Sequence, residues 1–169
     1  MEAQEKPVLF EEKQRFTQKW IWLLLLTPFL FPMVGLIFPN ISSALFMFNA
    51  SALLINLVVY LSMLLLFCFG FELNTEICTD GIYVRFRPFH RKPRFYAWSA
   101  IEHCEIRKYK PLFEYGGWGV RRGLRGTAFN VRGNMGLQLV IKGGKRVLIG
   151  TQKATELAGV LKSIHIPDA

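Results

Sequence analysis

The pattern of apolar and polar positions changes character twice along the chain. Between Trp20 and Phe71 no Asp, Glu, Lys, Arg or His occurs, a run of 52 residues. Crossing a hydrocarbon layer of ~30 Å takes roughly 20 apolar residues in helical geometry. The run therefore predicts a transmembrane hairpin, with one helix over about 20–38, a second over about 50–71, and Pro39, Asn40, Ser42 and Ser43 turning the chain between them. Pro28 and Pro32 each remove a backbone hydrogen bond within the first helix and predict a bend. Trp20 and Trp22 suit the membrane interface. Asn56 is the one strongly polar side chain deep in the second helix. It has two readings, a hydrogen bond across the hairpin to Thr27 or a backbone carbonyl, or an oligomer contact between protomers.

From Glu72 onward, short apolar alternations separated by turn signals predict strands. Asp80-Gly81 marks a hairpin between 72–78 and 82–87, in which Ile82, Val84 and Phe86 face one way and Tyr83, Arg85 and Arg87 the other. Further strands are expected at 94–98, 104–109, 128–132, 137–142 and 146–150, the last two joined by Gly143-Gly144. Leu157, Val160, Leu161 and Ile164 recur at helical spacing and predict a terminal amphipathic helix that Thr151 caps and Pro167 ends. The expected class is α+β, divided into a leader over 1–19, the hairpin over 20–71 and a seven-stranded β domain over 72–169.

Charge refines this picture. Residues 72–169 carry 17 Lys and Arg against 8 Asp and Glu, which is the whole formal excess of +9, while the leader balances four of each sign. Basic flanks on both sides of an uncharged loop predict a multi-pass protein with both termini cytoplasmic. The excess gathers in Arg85, Arg87, Arg91, Lys92 and Arg94 around one hairpin, and in Arg121, Arg122 and Arg125 of a glycine-rich loop that also holds Trp118. These nine residues are the candidate lipid- or partner-binding set. Near an anionic leaflet each cation is worth ~1 kcal/mol within a Debye length of about 8–10 Å. Topology and solubility alone also account for basicity, and Trp118 reads either as a plug beneath the glycine loop or as an exposed anchor.

No feature asks for catalysis, and no cofactor or metal is expected. Gly117-Trp118-Gly119 would need glycine at Arg122, and Gly144-Lys145 would need it at Leu139, for a phosphate-binding loop. His90, His103 and His165 lack metal-ligand spacing, and Cys68, Cys78 and Cys104 form no CxxC pair. His103 and Cys104 are adjacent on a predicted strand and so point to opposite faces. Nucleic acid is not expected as a partner, since no recognition helix or stacking signature accompanies the charge.

Thr79-Asp80-Gly81-Ile82, Trp98-Ser99-Ala100-Ile101, Gly116-Gly117-Trp118-Gly119-Val120-Arg121, and Leu137-Gln138-Leu139 through Ile149-Gly150-Thr151-Gln152 carry a resemblance. The chain resembles bacterial membrane proteins, mostly uncharacterised, that join a two-helix hairpin to a pleckstrin-homology-like domain. The resemblance implies a seven-stranded antiparallel split barrel with a C-terminal capping helix, in the bacterial inner membrane. Together these readings lead to the expectation of a non-enzymatic, membrane-anchored binding or scaffold module that contacts anionic lipid headgroups or a protein partner. The alternative is a structural homo-oligomer or an accessory subunit of a membrane complex.

Overall fold

A strand stands where a leader was expected. Val8–Arg15 (β1) pairs antiparallel with Glu72–Cys78 (β2), Arg15 opposite Glu72 and Val8 opposite Cys78. The computed structural model describes residues 7–16, 50–123 and 125–164, and of the helix at 50–70 the side chains of 54, 55 and 57–65. It divides into two compact units, one of residues 1–16 and 71–169, the other of residues 17–70.

In the second unit the described element is Ala50–Gly70 (α1), 21 residues without charge in its terminal turns. The Ser62 hydroxyl donates to the Val58 carbonyl at 2.7 Å, one turn back in the same helix. Crossing a membrane takes about 20 consecutive apolar residues. The described side chains of α1 fall short of that, and among the described residues no helix is long and apolar enough to cross a membrane. The expected transmembrane hairpin, and with it a multi-pass location in a bacterial inner membrane, is corrected on this finding. The predicted helix at 20–38 lies outside the described residues.

The β unit holds two sheets. In the first, β1, β2, Gly81–Arg87 (β3) and Arg94–Ala97 (β4) follow one another in antiparallel order. Strand alternation explains the burial: Leu73, Ile77, Ile82, Val84 and Phe86 are fully buried, while Tyr83 and Arg85 between them remain partly exposed. Gly81 is required at the start of β3, because a Cβ there would run into the backbone carbonyl of Tyr96 on β4.

The second sheet comprises Ile101–Lys108 (β5), Gly119–Gly123 (β6), Gly126–Asn130 (β7), Met135–Ile141 (β8) and Lys145–Gly150 (β9), in the order β5-β8-β9-β7-β6. All pairs are antiparallel except β7 with β9, which run parallel with Ala128 opposite Leu148. A single-turn helix, Pro111–Tyr115 (α2), precedes β6, and Ala154–Ser163 (α3) closes the described chain. Leu157 and Leu161 of α3 enter the same core as Phe86 of the first sheet and Phe129, Leu139 and Ile149 of the second. Nine strands, one parallel pair and no described membrane hairpin thus replace the expected seven-stranded antiparallel barrel behind a two-helix anchor.

The inward side chains of β1 are Phe10, Glu12 and Gln14. Two buried polar residues on one strand need partners, and they find them at the junction of β9 and α3. The Thr151 hydroxyl donates to Glu12 Oε2 at 2.6 Å, the Gln152 backbone N–H donates to Glu12 Oε1 at 2.7 Å, and Gln14 Nε2 donates to the Gly150 carbonyl at 2.7 Å. Thr151 does not cap α3 as expected; Lys153 occupies the cap position, and its N–H donates to the Thr151 hydroxyl at 3.0 Å. Residues 8–15 are therefore fastened into the β unit, although some 55 residues separate β1 from β2 in sequence.

Candidate functional site: a basic groove and an apolar turn

Arg94 opens β4, Arg125 and Gly126 form the turn into β7, and Lys145 and Arg146 open β9. These segments meet because β7 runs close beside β9: Gly126 has φ +109°, and a Cβ at that position would strike the carbonyl oxygen of Arg146. The result is a groove of about 600 Å³ lined by Arg94, Arg125, Lys145 and Arg146, together with Tyr96 and Thr127, and no acid among the described residues lines it.

Arg94 is held rather than merely present. The Arg94 guanidinium carbon lies 5.5 Å from the centroid of Phe129, a cation–π contact against a core ring. His90 packs edge-on to Phe129 at 5.4 Å and accepts the Phe86 N–H at Nδ1, 3.2 Å away. Burial first, then the charges of Arg94 and Arg122, hold this imidazole below its ordinary pKa. Arg94 of the hairpin set and Arg122 of the glycine loop are therefore electrostatic neighbours, although 28 residues apart in sequence.

The other predicted residues divide. Arg85 and Arg87 line a separate cleft on the outer face of the first sheet, with Lys13 and Arg15 but also Glu72 and Glu76, so positive charge is partly compensated there. Arg15 Nη2 is 2.9 Å from Glu72 Oε2, and Arg85 Nε donates to the His90 carbonyl at 3.4 Å. Arg91 and Lys92 are exposed in the β3–β4 connection. Arg121 turns back locally, its Nε donating to the Trp118 carbonyl at 2.9 Å. The Trp118 indole, half-buried, donates to the Gly133 carbonyl at 3.3 Å. The Asn56 side chain lies outside those described.

Sequence reasoning missed Lys145 and Arg146, whose only signal was a Lys-Arg pair following a glycine turn. It also missed α2. This turn is braced by Glu114, which accepts the Lys110 N–H at Oε1 (2.8 Å) and meets Arg107 Nη2 (2.9 Å) and Arg125 Nη1 (3.3 Å) at Oε2. Burial raises the Glu114 pKa, but hydrogen bonds from Arg107 and the Lys110 N–H and the two positive charges outweigh it, and the carboxyl sits below its ordinary range. Tyr115 is buried against Tyr109, and Gly116, in the left-handed conformation at φ 71°, ends the turn by donating its N–H to Leu112. The next two outward side chains, Leu112 and Phe113, stand 61% and 88% exposed. Beside them a second groove of about 830 Å³ is lined by Lys108, Lys110, Arg125 and Trp118.

Elsewhere, Cys104 is fully buried in the core and its thiol is pushed up to about 12 by burial and by the charge of Glu105. His103 sits 3.7 Å from Glu105 on the more exposed face of the same strand.

A β unit of two sheets with a helix entering the shared core, carrying a basic groove at one junction of the sheets, defines the class of protein. The chain belongs to a family of unknown function, DUF6141, which it matches over residues 1–166. Neither a curated protein nor a solved structure matches it.

Proposed function

We propose that the β unit is a non-enzymatic binding module, and that the groove between β4, β7 and β9 receives anionic lipid headgroups. The observation that carries this reading is the convergence of Arg94, Arg125, Lys145 and Arg146 on one groove that no acid among the described residues lines. Arg125 is partly spent on Glu114 at 3.3 Å, so three cations remain for a ligand. At ~1 kcal/mol each beside an anionic surface they contribute about 3 kcal/mol, roughly a hundredfold in affinity.

The test compares binding of the full chain to phosphatidylcholine vesicles and to vesicles containing phosphatidylglycerol, over a salt series. Replacing Arg94, Lys145 and Arg146 together by Gln should lower the preference for anionic vesicles by one to two orders of magnitude and flatten its salt dependence. A preference unchanged in the triple variant would refute the assignment. The full chain is the reagent because a fragment starting at residue 72 lacks β1.

A second reading, a scaffold that pairs through a sheet edge, is favoured by β1. It is the end strand of its sheet, and Val8 and Leu9 are exposed at its start. A monomer at all concentrations by light scattering would exclude self-pairing through that edge.

A further inference from the structure

We infer that α2 is a second contact element, seating on an anionic phospholipid layer with Leu112 and Phe113 entering the boundary between headgroups and acyl chains. The inference rests on the headgroup-binding reading above for its partner class, but on different residues.

Exposure of Leu112 and Phe113 is unfavourable in water, and nothing loose about the turn accounts for it. The Lys110 N–H, Arg107 and Arg125 all anchor Glu114, Tyr115 is buried, and the Gly116 and Gly117 N–H groups donate to Leu112 and Pro111 carbonyls at 3.0 and 2.9 Å. The turn is thus a rigid mount that presents two large apolar side chains outward. A mount of this kind suits a partner that is apolar where it meets Phe113.

The surroundings specify the rest of that partner. Lys108, Lys110 and Arg125 line the groove beside the apolar pair, and its one acid, Glu114, is already engaged by Arg107 and Arg125. The surface is therefore apolar at its tip and positive around it. An anionic phospholipid layer is the complement of both parts: phosphates at the depth of the cations and hydrocarbon beyond them. The half-buried indole of Trp118, on the same groove, suits headgroup depth. Leu112 and Phe113 form the rim of this groove and stand 61% and 88% exposed, so the apolar surface faces outward at its edge, which favours insertion into a layer over capture of a chain.

The experiment is hydrogen–deuterium exchange on the full chain, alone, with phosphatidylcholine vesicles, and with vesicles containing phosphatidylglycerol. Exchange in 108–118 should slow several-fold with the anionic vesicles only. A Leu112→Ser/Phe113→Ser variant should lose that protection while 123–127 and 142–147, at the basic groove, keep theirs. Since both side chains are exposed, the variant should melt with the parent, and a Lys108→Glu/Lys110→Glu variant provides an independent check by the same readout. Unchanged exchange in 108–118, equal protection by neutral vesicles, or protection that survives in both variants would overturn the inference. Protection at the groove segments without protection at 108–118 would leave the proposed function standing and remove only this element; the reverse would do the opposite.

Discussion

Glu11 and Glu12 are adjacent, chemically identical and, in a leader, interchangeable. In the β unit they differ sharply. Glu12 is 5% exposed and receives the Thr151 hydroxyl and the Gln152 N–H, whereas Glu11 faces solvent and pairs with Lys13. Hydrogen bonds to a charged group contribute about 1.5–3 kcal/mol each. Gln152 is exposed and its N–H regains water when the carboxylate is removed, so Glu12→Ala should cost about 2–3 kcal/mol, most of it at the buried Thr151 hydroxyl. For a unit of about 110 residues, with an unfolding entropy near 2.1 cal/mol/K per residue, that lowers the midpoint by about 10 °C. Glu11→Ala should leave the midpoint unmoved. Calorimetry on the two single variants and the parent makes the comparison, with exchange of the β2 amides as a local reading of whether β1 still pairs. Equal midpoints for Glu11→Ala and Glu12→Ala would show that β1 does not hold the domain together and would return residues 8–15 to the status of a leader.

Further expectations follow from the core, the groove and the imidazole. Phe86→Ala, which empties a fully buried site between the sheets and α3, should destabilise by about 3–5 kcal/mol in denaturant unfolding. Gly126→Ala combines a strained φ of +109° with a clash against the Arg146 carbonyl; it should cost over about 2 kcal/mol and weaken anionic binding together with stability. His90 has a depressed folded pKa, so the unfolded chain binds the extra proton first: its contribution is present above the unfolded value of about 6.5 and is lost as pH falls from there through the folded value. Denaturant midpoints at pH 7.5 and 5.5 should differ less in His90→Gln than in the parent. An anion held beside Arg94 offsets the charge that depresses His90, so saturating phosphatidylglycerol should raise its NMR titration midpoint.

How much was legible in the sequence depends on what each side chain does where it ends up. Along β3 the apolar residues Ile82, Val84 and Phe86 point inward, and the period of two is visible without any tertiary knowledge. β1 obeys the same geometry with Phe10, Glu12 and Gln14 inward, but two of those three are polar and depend on Thr151, Gln152 and Gly150 over 130 residues away, so no local pattern betrays the strand. β6, Gly-Val-Arg-Arg-Gly, reads as loop because its glycines and arginines suit an exposed strand beside β7, and its identity lies in that pairing. The long uncharged run was visible and was read as a hairpin in a membrane, an inference from composition that the described residues do not support.

For the site, the sequence by itself determined that the chain is basic and that the charge falls after residue 72. It also placed individual cations on strands or turns. Which cations act together was decided only by the tertiary structure. Arg85 and Arg87 came to line one cleft with Glu72 and Glu76, while Arg94, from the other hairpin strand, met Arg125, Lys145 and Arg146 through the approach of β7 to β9. The physical reason is that charge compensation depends on distances of a few ångströms between residues remote in sequence, and those distances are set by packing of the two sheets around a shared apolar core.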